Sequence, residues 1–180
     1  GVAESWNAND AATVFTFHLR ENAVWSDGQP VTAADFVFAF RRALAPQTKS
    51  AACRPLYVVK NARKVSTGAL PADQLGVRAE NDKTLVVELE NAYADFPALA
   101  AESVFMPCNE KFFQETQGKY GLEYKSILSN GPFVLGNQYS WDHGKQIKLT
   151  RSDTYRGAQA ALPAALIFSM SGSDVDVSDP

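Results

Sequence analysis

Residues 15–44 read FTFHLRENAVWSDGQPVTAADFVFAFRRAL, and this stretch decides the fold because a strand, a tight turn and a helix follow one another in it. From Thr13 to Arg20 the sequence TVFTFHLR places Phe15, Phe17 and Leu19 at every second position, with Val14, Thr16, His18 and Arg20 between them. A period of two sends alternate side chains to opposite faces, so the segment predicts a half-buried strand. Glu21 to Pro30 is turn-rich. At Ser26-Asp27-Gly28 the turn has a mechanism, because Asp can bond its own backbone and Gly accepts positive φ. Thr32 then opens a helix. Thr32-Ala33-Ala34-Asp35 has the form of a capping box, with Asp in the role usual for Glu. Phe36, Val37, Phe40 and Leu44 recur at helical spacing. Arg41 and Arg42 fall in the last turns, where the helix dipole favours cations, and Pro46 ends the element.

Downstream, a second helix is predicted over Leu56 to Ser66, closed by Gly68, and a short turn over Pro71 to Leu75. Gly76 to Glu80 and Thr84 to Glu90 alternate as strands and are joined by Asn81-Asp82-Lys83, a hairpin. Ala94 to Ala101 reads as a helix with Pro97 in its first turn. Asn109 to Thr116 reads as another, capped by Asn109 and stopped by Gly118. Gly131 to Gln138 and Gln146 to Arg151 read as strands around a loop at Trp141 to Gly144, and Ala165 to Met170 as a last buried strand. No internal repeat appears. The sum is α+β, a mixed α/β chain of antiparallel hairpins with several helices instead of regular βαβ alternation. The length suits a single compact fragment over 1–180.

Composition narrows the function. The chain has 180 residues, 46% hydrophobic and 21% charged, with a net charge of -3. That is a globular balance, and it argues against a nucleic-acid partner, which requires a basic stripe. No apolar run approaches the ~20 residues that cross a bilayer. The longest, near Ala160 to Phe168, is interrupted by Pro163. Gly1 to Asp10 lacks the basic start and apolar middle of a signal peptide. Cys53 and Cys108 lie outside any C-x-x-C pair. They read either as one disulfide, contributing roughly 4 kcal/mol by chain-entropy arithmetic, or as small buried thiols.

The arrangements that carry catalysis are missing from the sequence. There is no G-x-S-x-G elbow, P-loop, G-x-G-x-x-G or zinc-type histidine pattern. His18 sits in a strand and His143 in the Asp142-His143-Gly144 loop, far apart in sequence. Glu88 and Glu90 share one strand face, read as solvated. Trp6, Trp25 and Trp141 read as packing anchors with one polar handle before they read as a site. The tail Asp174 to Asp179 begins like a calcium loop but has no Gly for the sharp turn. Ser178 or Asp179 reads better as a helix cap before Pro180. No cofactor and no metal site is expected.

The same residues resemble a known family. The run from Phe15 to Arg20, then Trp25-Ser26-Asp27-Gly28, Pro30 to Ala33 and Asp35-Phe36-Val37, is similar to the signature of extracellular solute-binding proteins of family 5, the peptide, dipeptide and nickel cluster. Leu75-Gly76-Val77 with Thr84-Leu85, Pro107 before a helix, Ser129-Asn130-Gly131-Pro132-Phe133, Lys148-Leu149 and Arg151 to Tyr155 continue the resemblance over nearly the whole chain. It implies a type II periplasmic-binding-protein-like fold in which 20–130 form a small accessory domain, with 1–19 and 131–180 as flanking strands of the first lobe. It also implies that a second lobe lies outside this sequence. Trp25, Ser26, Asp27, Gly28, Asn130, Gly131 and Pro132 are then a folding motif. Family members place a ligand-near residue, often aromatic, after the first helix. Ala52 takes that position here, so Ala52, Cys53 and Tyr57 are the cleft-near candidates, and Ser103 to Pro107 is a second cleft edge.

The resemblance further implies an extracytoplasmic carrier and no enzyme. The carrier would be periplasmic or a cell-surface lipoprotein, monomeric, binding a short peptide or similar small ligand and handing it to an ABC permease. A sensor or interaction domain on the same fold is the alternative, and a hydrolase the remote one.

Overall fold

Phe15, Phe17 and Leu19 are 2, 9 and 3% exposed in the computed structural model, which describes residues 1–157 and 163–170. These residues stand on β2 (Val14–Leu19), the strand predicted from their period of two. Four antiparallel strands form the first sheet: β1 (Ala3–Ala8), β2, β3 (Val77–Asn81) and β4 (Thr84–Glu88), in the order β1-β2-β4-β3. Register pairs Phe15 with Val87 and Phe17 with Leu85, so these four share a face with Val77. β1 has no hydrophobic alternation to betray it in the sequence, because almost all of its side chains are exposed.

Above this face the core is largely aromatic. Phe96 lies 5.1 Å from Phe15 and 6.1 Å from Phe17, centroid to centroid, and meets Phe105 edge-on at 5.8 Å. Phe105 in turn meets Phe40 edge-on at 5.5 Å. Such tilted and edge-to-face pairs suit the ring quadrupoles and add about 0.5–1.5 kcal/mol each beyond area burial. Phe40 belongs to α1 (Ala33–Leu44) and Phe96 opens α3 (Phe96–Leu99). The start of α1 is held as its sequence suggests. The buried Asp35 carboxylate accepts from the Thr32 backbone N–H at 2.9 Å and from its hydroxyl at 3.2 Å.

Lys83, in the β3–β4 turn, ties the hairpin to the loop before α1. Its Nζ donates to the carbonyls of Arg20, Glu21 and Val31 at 3.1–3.3 Å, while its own carbonyl accepts from Leu19 N–H at 2.8 Å. Three carbonyls are thereby satisfied by one ammonium, a use of lysine that depends on tertiary structure and leaves no local sequence mark.

Several expected elements are corrected. The helix over Leu56 to Ser66 is two pieces: a 3₁₀ segment Ala51–Val58 containing Pro55, and α2 (Ala62–Ser66). Between them Val59 bridges Leu89 and Asn61 turns with φ 65°, breaking the helix. The Ala94 to Ala101 helix contracts to α3, and the Asn109 to Thr116 helix to α4 (Glu110–Glu115). Gly131 to Gln138 is strand only at β5 (Phe133–Val134), because Asn137 and Ser140 close a turn. The loop at Trp141 begins as β6 (Trp141–Asp142), paired with β7 (Gln146–Arg151). β8 (Ala165–Ser169) pairs with β7 but is not a buried strand: Ile167 and Phe168 are 60% and 54% exposed.

The described residues divide into two units, Gly1–Ala23 with Pro30–Lys111, and Val24–Gln29 with the residues from Phe112 on. The first holds the β1-β2-β4-β3 sheet and its aromatic core. The second holds β5 to β8 and the short loop that carries Trp25. The expectations for the acidic tail at Asp174 to Asp179 and for the first part of the apolar stretch from Ala160 lie outside the described residues.

Candidate functional site

Ala52, Cys53 and Tyr57 all lie on the 3₁₀ segment Ala51–Val58, which packs against the turn at Ser103–Phe105. The structure thus brings the two sequence segments singled out as ligand-near to one edge of the first unit. Ala52 is exposed, Cys53 is buried, and Tyr57 is half-buried. The Cys53 thiol donates to the Tyr57 hydroxyl at 3.7 Å, which also accepts from Ser66 Oγ at 3.4 Å. The Arg63 guanidinium lies 4.7 Å from the centre of the Tyr57 ring, within cation–π range. Tyr57 is therefore fixed at its rim and on its face. Cys108 is buried as well, and no disulfide joins it to Cys53.

Two cavities open on this unit. One, of about 320 Å³, is apolar: Phe17 and Leu85 of the sheet, Phe40 of α1 and Pro107 are among its walls, with the exposed Trp6 and Met106 also lining it. Met106 and Pro107 in its wall belong to the segment Ser103 to Pro107. The other, of about 550 Å³, is lined by Arg54, Tyr57, Arg63, Lys64, Glu90 and Tyr93 among others. The sequence reading does not single out these basic residues, of which only Arg63 and Lys64 are adjacent in the chain.

In the second unit the two folding-motif segments interlock. The Ser26 N–H donates to the Ser129 carbonyl at 2.6 Å, and the Ser129 N–H donates to Ser26 Oγ at 3.3 Å. Trp25 is 2% exposed, Asp27 accepts from Gln29 N–H at 3.0 Å, and Gly28 takes φ 87°. Asn130 is held next to this clasp, with its Nδ2 buried.

Glu88 joins Lys60 at 3.0 Å and Arg78 at 2.8 Å, so it is not the freely solvated carboxylate expected. The hydrogen bond from Lys60 holds its carboxyl below the ordinary value of 4.5, against partial burial, with Arg78 assisting. The neighbouring Glu90 accepts from the Asn61 N–H at 2.9 Å. His18 and His143 fall in different units, and His143 stacks on Trp141 at 4.3 Å. Among the described residues no group of three His, Cys, Asp or Glu side chains is placed to hold a metal ion. No helix there is long and apolar enough to cross a membrane.

The geometry defines a mixed fold of helices and antiparallel sheets. The chain belongs to the family described as bacterial extracellular solute-binding proteins, family 5 Middle, which matches residues 1–178. It is 36% identical over 155 residues to the oligopeptide-binding protein OppA of Bacillus subtilis, covering 86% of this chain and 28% of that protein. The substrate-binding domain of an oligopeptide ABC transporter from Bacillus anthracis superposes with a TM-score of 0.82 at 43% identity, over 86% of this chain and 29% of that one. Listeria monocytogenes OppA bound to peptide superposes with a TM-score of 0.88 at 32% identity, over 95% of this chain and 33% of that one. The chain therefore spans less than a third of the length of the curated relatives it matches.

Proposed function

We propose that this chain is part of the substrate-binding component of an ABC importer, and that the whole protein binds short peptides outside the cytoplasmic membrane and delivers them to a permease. The observation that carries the reading is the fit of 95% of the chain to a solved oligopeptide-binding protein with peptide bound. In this reading 20–130 form the accessory domain, with 1–19 and 131–180 as strands of the first lobe, and the ligand is enclosed as two lobes close about a hinge. Affinity comes from enclosure and backbone hydrogen bonds, with no bond chemistry. The 3₁₀ edge at Ala52, Cys53 and Tyr57 is the part of this chain nearest the ligand. Because Ala52 presents only a methyl group there, the chain supplies little of the binding energy itself. The whole protein acts as a monomer, in the periplasm or as a lipid-anchored surface protein.

Calorimetry with a pool of short peptides tests this, on the chain alone and on a polypeptide of the relatives' length that contains it. Binding by the longer protein alone is the expected result. Absence of binding by both overturns peptide transport as the function. Micromolar binding by the chain alone overturns the assignment of the pocket to other parts of the protein.

A further inference from the structure

The 550 Å³ cavity of the first unit borders the 3₁₀ edge and has its own chemistry. The 3₁₀ segment supplies Arg54, Tyr57 and Val58 to its wall, α2 supplies Arg63 and Lys64, and the stretch after β4 supplies Glu90, Ala92 and Tyr93. Three cations thus face one carboxylate, and that carboxylate already accepts the Asn61 N–H. Arg63 is spent on the Tyr57 ring. Among the described residues, Arg54 and Lys64 have no acceptor for their side-chain N–H groups. Val58, Ala92 and the two tyrosine rings add apolar surface to the lining, and Tyr93 is 38% exposed.

We propose that this cavity, which shares Tyr57 with the edge nearest the peptide, is a second ligand site that takes a small aromatic carboxylate, its carboxyl on Arg54 and Lys64 and its ring against the tyrosines. A guanidinium is a planar fork that matches a carboxylate with two parallel hydrogen bonds, and the ammonium adds a point charge. Glu90 in the wall partly offsets the three cations and so weakens, without reversing, the pull on an oxyanion. An aromatic body adds stacking on tyrosine that an aliphatic acid lacks.

Phenylacetate is the probe and phenylacetamide its neutral counterpart, each titrated into the 180-residue chain while backbone amide shifts are followed. Phenylacetate saturates the shifts of residues lining the cavity, and phenylacetamide does not. Arg54→Ala weakens phenylacetate binding by about tenfold, the loss of one charge-assisted bidentate contact. Glu90→Gln keeps an acceptor for Asn61 and removes the repulsion, so binding tightens by about threefold, an effect that misfolding cannot imitate. Equal binding of acid and amide overturns the proposal, as does failure of phenylacetate to saturate the shifts, or affinity unchanged in both variants.

Discussion

Ser26 and Ser129, 103 positions apart, hold each other through two hydrogen bonds: the Ser26 N–H to the Ser129 carbonyl at 2.6 Å, and the Ser129 N–H to the Ser26 hydroxyl at 3.3 Å. The first bond uses backbone alone and survives any side chain at position 26. The second needs the hydroxyl. Ser26→Ala leaves the part-buried Ser129 N–H without that acceptor, and the expected cost is about 1 kcal/mol in urea unfolding. Hydrogen exchange at the Ser129 amide accelerates in the same variant, whereas Ser26→Thr keeps both readings near those of the parent. A loss below about 0.5 kcal/mol, the range of ordinary surface substitutions, contradicts the clasp.

Gly76 and Gly28 are both glycines of the recognised motifs, yet for different reasons. At Gly76 an added Cβ would lie 2.6 Å from Lys60 Cβ and 2.7 Å from the Glu88 carbonyl oxygen. The backbone there is bonded on both sides, Gly76 N–H to the Lys60 carbonyl and Glu88 N–H to the Gly76 carbonyl, so neither neighbour can yield without breaking a bond. Gly76→Ala should cost about 2–3 kcal/mol, the upper range for overpacking. At Gly28 nothing lies within 4 Å of the added atom, but φ is 87°. Gly28→Ala should cost only about 1–2 kcal/mol, for placing an L side chain in the left-handed region. The comparison of the two by chemical denaturation checks the order, and a Gly28 variant less stable than the Gly76 variant refutes the reading.

What the sequence revealed was set by whether the cause of each element is local. β2 was readable because Phe15, Phe17 and Leu19 face one core and their period is two. α1 was readable because Thr32 and Asp35 cap it within four residues. β1 was invisible because its outward side chains carry no pattern and the strand it pairs with, β2, comes later in the chain. The split between the 3₁₀ segment and α2 depends on the Val59–Leu89 bridge, across 30 positions, and no local propensity encodes that. The same holds for the site. Ala52, Cys53 and Tyr57 are candidates through family resemblance alone, and only the tertiary structure shows that their segment packs against Ser103–Phe105. The basic cavity was missed because Arg54, Arg63–Lys64 and Tyr93 converge only in three dimensions.

Glu88 is a carboxylate whose charge the fold uses, and its pH dependence follows from that. It accepts from Lys60 at 3.0 Å and Arg78 at 2.8 Å, and its side chain is 32% exposed against 53% and 52% for the two cations. Its pKa lies below the ordinary value of 4.5 in the folded chain, chiefly through the Lys60 hydrogen bond. Folding therefore favours the charged form. The resulting stability is fully present above the unfolded value and is lost as pH falls through the folded one. Glu88→Gln retains an acceptor and the shape but removes the charge. It should lower stability near neutral pH by about 0.5 kcal/mol, a value discounted for exposure of all three groups to solvent. The difference from the parent should shrink in high salt, because exposed charges are screened. It should also vanish in acid, below the folded pKa, where the parent's carboxyl is itself neutral. Urea unfolding of both proteins across this pH range decides the matter: a difference that persists undiminished in acid would show that the amide disturbs packing, and that the Lys60–Glu88–Arg78 charges contribute nothing.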